Sequence, residues 1–393
     1  MATAYHRLAR EHPDHAWWKL PVAGVTGVVV YFGVLMVLFI AAMAIAAIAG
    51  RDAFEGFMRW TEESDTVSAS DPALLAFELI GLAVLIPCVL LPVLMTGPRP
   101  AGYISSVAGR LRWRWLAWTS LAAAVVYGIS IGGLVLLSDD SVAPSIDGPR
   151  TIVLLLVVLL LVPLQAAGEE YVFRGYLMQL VGSWTRFAIV PIVVSTPLFA
   201  LGHSYGLWGL VDVGVFGLTA AVLVIRTGGL EAAIAAHAAN NIALFALEAV
   251  GSISTDDTGG GPLDVLPTVG TSLVFLGVVE VMVRRLGIVR TREPLPPKPP
   301  KPAYAPPPWQ GWQPPPYPQQ GHPQQAYAQQ PQWSPPPAGH AQQQWPQQPW
   351  GQQPWSPPPP PAWRPPRIAE GTPEYPGEIA EDWGEPVRTD PGR

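Results

Sequence analysis

Charge is scarce in this chain of 393 residues: only 13% are Asp, Glu, Lys or Arg, where about 25% is usual for a soluble domain. A deficit of that size excludes a single water-soluble globular body. Net charge is −6 with no basic domain, so nucleic acid is not an expected partner. Cysteine is nearly missing as well. The one residue of that type, Cys88, has no intrachain disulfide partner and lies in an apolar run, where it should pack as a small hydrophobe. Proline is thin only at the front: residues 1–290 hold 14 of the 46, and 291–393 hold the other 32.

What the front contains instead is long apolar runs. A helix needs roughly 20 mostly apolar residues to cross a hydrocarbon core ~30 Å thick. Eight candidates stand out, near 22–49, 73–96, 115–137, 151–182, 187–203, 207–226, 229–249 and 265–287. The fold expected is therefore all-α, a polytopic membrane protein of about eight transmembrane helices. The first run covers 28 residues, too long for the 7–15-residue core of a signal peptide, and reads as a retained helix.

The basic residues sort by loop. Thirteen Lys or Arg fall on one side (Arg7, Arg10 and Lys19; Arg99, Arg110, Arg112 and Arg114; Arg186; Arg226; Arg284, Arg285, Arg290 and Arg292), against three on the other, Arg51, Arg59 and Arg150. By the positive-inside tendency both termini are expected in the cytoplasm of a multi-pass plasma-membrane protein. The organisation expected is a cytoplasmic segment 1–21, a membrane domain 22–290 and a tail 291–393. The tail is rich in Pro and Gln and poor in aliphatic side chains, so disorder is expected there. Stretches such as Pro357 to Pro366 suit the aromatic grooves of SH3- or WW-type partners.

Ionisable groups inside spans cost roughly 2.5–3.5 kcal/mol each near the bilayer centre and usually serve function. Three clusters occur. The fourth run carries Glu169, Glu170 and Arg174 in GEEYVFRG, the fifth ends on Phe199 and His203, and the seventh holds His237, Asn240 and Asn241. Glu170 with Arg174, Phe199 with His203 and His237 with Asn241 are each four apart, so each pair shares a helix face. His203 and His237 are the only histidines in the eight runs; three of the other five precede them and two follow. With the turn between the fourth and fifth runs near Thr185, Glu169 and His203 fall at similar heights of an antiparallel hairpin. A shared site in the cytoplasmic half of the membrane is the expectation. Glu78, Asp212, Glu231, Glu248 and Glu280 are read as span-end or helix-pairing acids, with Glu231 and Asp212 the strongest alternatives.

These motifs, EExxxR at Glu169 to Arg174, FxxxH at Phe199 to His203 and HxxxN at His237 to Asn241, resemble in type and order those of the CPBP family, the membrane proteases related to the type II CAAX prenyl endopeptidase. The resemblance covers about 150–250. It implies intramembrane endoproteolysis near the cytoplasmic surface, on a peptide or membrane-protein substrate embedded in the lipid bilayer. Carried onto this chain it makes Glu169 the base that activates a water and His203 a holder of that water. His237 and Asn241 then polarise the scissile carbonyl, while Glu170 pairs with Arg174 to fix the helix.

A metal-free mechanism is expected. The competing reading has Glu169, His203 and His237 ligating a divalent metal such as zinc, with one position left for water; no HExxH helix is present. Two other functions compete: a non-catalytic scaffold or immunity-type membrane protein that recruits partners through its tail, and a transporter using Glu169 and His203 as a proton relay.

Overall fold

The computed structural model describes residues 2–63, 71–137, 144, 148–253, 260–294 and 296. Nearly all of the expected tail, including Pro357 to Pro366, lies outside the described residues.

The described residues are almost wholly helical. The helices are α1 (Lys19–Ala49), α2 (Arg51–Glu63), α3 (Pro72–Ala83), α4 (Leu85–Thr96), α5 (Trp113–Leu137), α6 (Gly148–Glu170), α7 (Met178–Gly182), α8 (Ile189–Ala200), α9 (Leu207–Thr227), α10 (Glu231–Ala249) and α11 (Leu266–Leu286). α3 and α4 form one broken rod, and α6 runs on through a wide turn into α7. Counted in this way, seven helices among the described residues are long and apolar enough to cross a membrane. Local chemistry sets several ends. Asp71 caps α3, accepting from the backbone N–H groups of Ala73 (2.9 Å) and Leu74 (3.1 Å), and Pro72 follows it in the first turn. Gly228 and Gly287 close α9 and α11 with left-handed φ angles of 72° and 61°.

Two segments differ from the sequence expectation. The fifth run, expected over 187–203, forms a helix of 12 residues, α8, short of the roughly 20 needed for a crossing; a non-helical turn at 201–206 then leads into α9. α2, in what read as a loop, is a helix whose Phe57 and Trp60 pack on Phe77. A search for continuous apolar runs passes over an amphipathic helix of this kind.

α1 presents Val25, Val29, Phe32, Met36 and Ile48 to its surroundings. An apolar surface of that extent is costly in water and suits lipid. Inside the bundle α10 is central, packing on α5, α6 and α9, while α3 packs on α6, α1 on α4 and α8 on α9.

The loops that carry the thirteen basic residues interlock at one face. The strands β1 (Thr3–Ala4) and β2 (Thr291–Arg292) pair antiparallel. Val107 donates to the Gly228 carbonyl (2.8 Å), Leu230 to that of Ser105 (3.0 Å), and Arg7 Nη1 to that of Thr185 (3.0 Å). Glu231, fully buried, accepts from Arg112 three times, at the backbone N–H (2.8 Å), Nε (2.9 Å) and Nη2 (2.7 Å). On the same face Glu280 binds Arg226, Arg284 and Arg290. Both acids thus brace the basic face.

Candidate active site

The last turns of α6 and the first half of α10 hold the polar core. Beyond Glu170 the helix widens into a π segment, Tyr171–Leu177, a local form that recurs at functional sites. Glu170 and Arg174 are wholly buried. Arg174 Nη1 donates to Glu170 Oε1 at 2.8 Å and Nη2 to the Gly217 carbonyl at 2.9 Å, and its guanidinium lies 4.1 Å from the centre of the Phe199 ring. Gly217 packs tightly here, since a Cβ there would lie 3.0 Å from the Phe199 ring and 3.1 Å from Arg174 Nη2 and would press on both. The charge pair is thus compensated in part by hydrogen bonds and an aromatic face, while Glu170 Oε2 and Arg174 Nε are buried without a hydrogen-bond partner.

His237 joins this clamp. Its Nδ1 lies 3.0 Å from Glu170 Oε1, and because a carboxylate with no proton only accepts, Nδ1 is the N–H. Nε2 then points the other way, 3.6 Å from Glu169 Oε2. That oxygen is buried and has no hydrogen-bond partner. The other oxygen of Glu169 accepts from Gln165 Nε2 at 2.8 Å, and the carbonyl of the same amide accepts from Asn241 Nδ2 at 3.2 Å. Gln165 was not singled out from the sequence, although it stands one turn before Glu169 and is the first amide after a continuous apolar run. Asn240 Nδ2 in turn donates to Asn241 Oδ1 at 3.1 Å.

His203 arrives from outside the helix expected for it. α8 ends at Ala200, and His203 sits in the following turn with Nδ1 donating to the Phe199 carbonyl at 3.0 Å. This uses one of the unpaired carbonyls at a helix C-terminus and leaves Nε2 free of that bond. The Phe199 ring stands between the two imidazoles, 5.0 Å from His203 and 5.8 Å from His237, and Phe216 closes on His237 at 5.2 Å. Tyr205 stacks on His203 at 5.8 Å.

Glu169, His203, His237 and Asn241 all line one cavity of about 570 Å³, with Glu170 and Arg174 behind its wall. Its reactive end lies near the basic face, since His237 is six residues into α10, about 9 Å of helix. From there the lining runs along α9 and α10 to Ile253, Gly260, Asp264 and Thr268, at the opposite ends of the helices.

Among the described residues no three His, Cys, Asp or Glu side chains are grouped as metal ligands would be. The arrangement does not fit a preformed zinc site.

Fold and site together define a multi-helix membrane protein with a carboxylate and two imidazoles around a buried cavity. Comparison with known proteins makes this specific: residues 149–243 match the family described as type II CAAX prenyl endopeptidase Rce1-like. The segment that carries the match holds all seven motif residues. A relative, the uncharacterized protein YyaK of Bacillus subtilis (strain 168), is 27% identical over 209 residues, which cover 49% of this chain and 70% of YyaK. No solved structure matches.

Proposed function

We propose that the chain is an intramembrane endopeptidase in which Glu169 activates a water for attack on a peptide bond. One observation carries this reading: a buried carboxylate oxygen with no partner stands 3.6 Å from the Nε2 of a histidine whose other nitrogen is locked on a second carboxylate. A water standing off to the cavity side of this pair can lie within hydrogen-bond reach of both atoms.

Glu169 Oε2 accepts a proton from this water as its oxygen attacks the scissile carbonyl carbon. His203, its ring fixed through Nδ1, holds the water from the cavity side through Nε2. The carbonyl oxygen gains charge and accepts from the second N–H of Asn241 and, when His237 carries a proton on Nε2, from that N–H. In a cavity shielded from solvent such a donor lowers the barrier by roughly 2.7–4 kcal/mol in one well-studied case. The C–N bond then breaks, and Glu169 returns its proton to the leaving amine. Glu170 and Arg174 position His237 without touching substrate.

The test is substrate trapping in native membranes. Glu169→Ala and His203→Ala variants should accumulate uncut membrane proteins that the wild type converts to fragments, with rates down at least about 100-fold. Fragment patterns identical in all three, read by mass spectrometry, would refute the reading.

A further inference from the structure

The wall of the cavity beyond the reactive groups is built from one face of α9. Trp208, Asp212 and Phe216 recur every four residues along it, and all three line the cavity. Phe216 fixes one end of this row at the reactive site, because its ring packs on His237. Asp212 is one helical turn farther along, about 6 Å of rise.

Asp212 hydrogen-bonds Thr268 through its side chain, and its other oxygen is left over. Glu231 and Glu280 are held by arginines and Glu78 by Trp60. Asp212 Oδ1 is shielded from solvent and has no hydrogen-bond partner, and unlike Glu78, Glu231 and Glu280 the residue lines the cavity. The lining also contains Glu169 and Asp264, and no lysine or arginine among the described residues. Apart from His203 and His237 at the reactive end, the ionisable side chains of the lining are acids, so a cation is the charge that would complement them.

We infer that Asp212 is a specificity residue that receives a lysine or arginine side chain of the substrate. An extended peptide advances about 3.3 Å per residue, so a turn of α9 spans two residues. The basic side chain belongs about two positions from the bond that is cut. Its aliphatic stem would lie against Trp208 and Val213, and its cation would satisfy the orphan oxygen. The inference rests on the cleavage reading for the word "substrate", but the binding site stands or falls separately.

The experiment uses the full chain in detergent micelles and a set of fluorescent peptides. Each peptide carries the same apolar segment and either Lys, Ala or Glu at one scanned position. Binding is measured on the Glu169→Ala background by anisotropy, and cleavage on the wild type by mass spectrometry. The Lys peptide should bind at least about tenfold more tightly than the Ala peptide, and the Glu peptide most weakly. Asp212→Asn should erase the order, Asp212→Glu should retain it, and Asp212→Lys should reverse it in favour of Glu. A Lys preference in binding with no cleavage would support the subsite and count against the peptidase reading. Equal binding of all three peptides, or a preference that survives both Asp212→Asn and Asp212→Lys, would overturn the subsite whether or not cleavage occurs.

Discussion

At the residue scale the site is two carboxylates with divided duties. Adjacent in sequence, they face opposite sides of one imidazole. Glu170 binds Arg174 and His237 Nδ1 through Oε1 and stays off the cavity lining, while Glu169 lines the cavity with Oε2 unpartnered; Glu170 Oε2 is unpartnered too. What orients Glu169 is Gln165, which donates to its other oxygen and is itself held by Asn241. Replacing Gln165 by Leu keeps a side chain of similar size but removes the donor to Glu169 and the acceptor for Asn241. Peptide cleavage should fall on the order of 10-fold to 100-fold, the cost of one unsatisfied buried charge partner. The melting temperature in detergent shows whether the loss is positional: an unchanged melt with reduced turnover is expected, and unchanged turnover would remove Gln165 from the site.

At the element scale, close approach of helices places those residues. Gly168, beside Glu169, faces the Leu82 carbonyl at the break between α3 and α4, and a Cβ at that position would collide with backbone. Gly168→Ala should therefore destabilise by about 1–3 kcal/mol, because backbone cannot swing aside as a side chain would. Gly128 in the middle of α5 has open space around it, so Gly128→Ala should be neutral or stabilise by up to roughly 1 kcal/mol through helix propensity. Denaturation of both variants in one detergent makes the comparison.

The same scale explains what was legible in the sequence. Apolar runs placed α1, α5, α9 and α11 within a few residues, because lipid demands length and composition and little else. The polar motifs located Glu169, Glu170, Arg174, His203, His237 and Asn241, because charge in an apolar run is conspicuous. Helical spacing misjudged His203, which hangs from a turn after α8. Pro191 and Pro197 within a 12-residue helix leave a pattern that hydropathy cannot distinguish from a longer span. Gln165 was missed because an uncharged amide next to a diglutamate draws no notice until its two partners are seen on facing helices.

At the scale of the whole molecule, the cavity and the basic face point in opposite directions. Both strands at the described chain ends, with the loops at 97–112, 183–188 and 227–230, sit at the basic face, and the cavity runs from His237 toward Gly260 and Asp264. If the basic face lies in the cytoplasm, as the excess of arginine argues, the far end of the cavity lies across the membrane from it. Cysteine labelling decides this. Cys88, the single cysteine of the chain, is buried, so a Cys88→Ala background is silent to a membrane-impermeant maleimide. On that background Asp264→Cys should label in sealed vesicles of one orientation only, and Arg285→Cys only in vesicles of the other. Labelling of both from the same side would mean that the cavity mouth and the basic loops share a compartment. Labelling from opposite sides would put the Asp264 end of the cavity and the basic loops in different compartments.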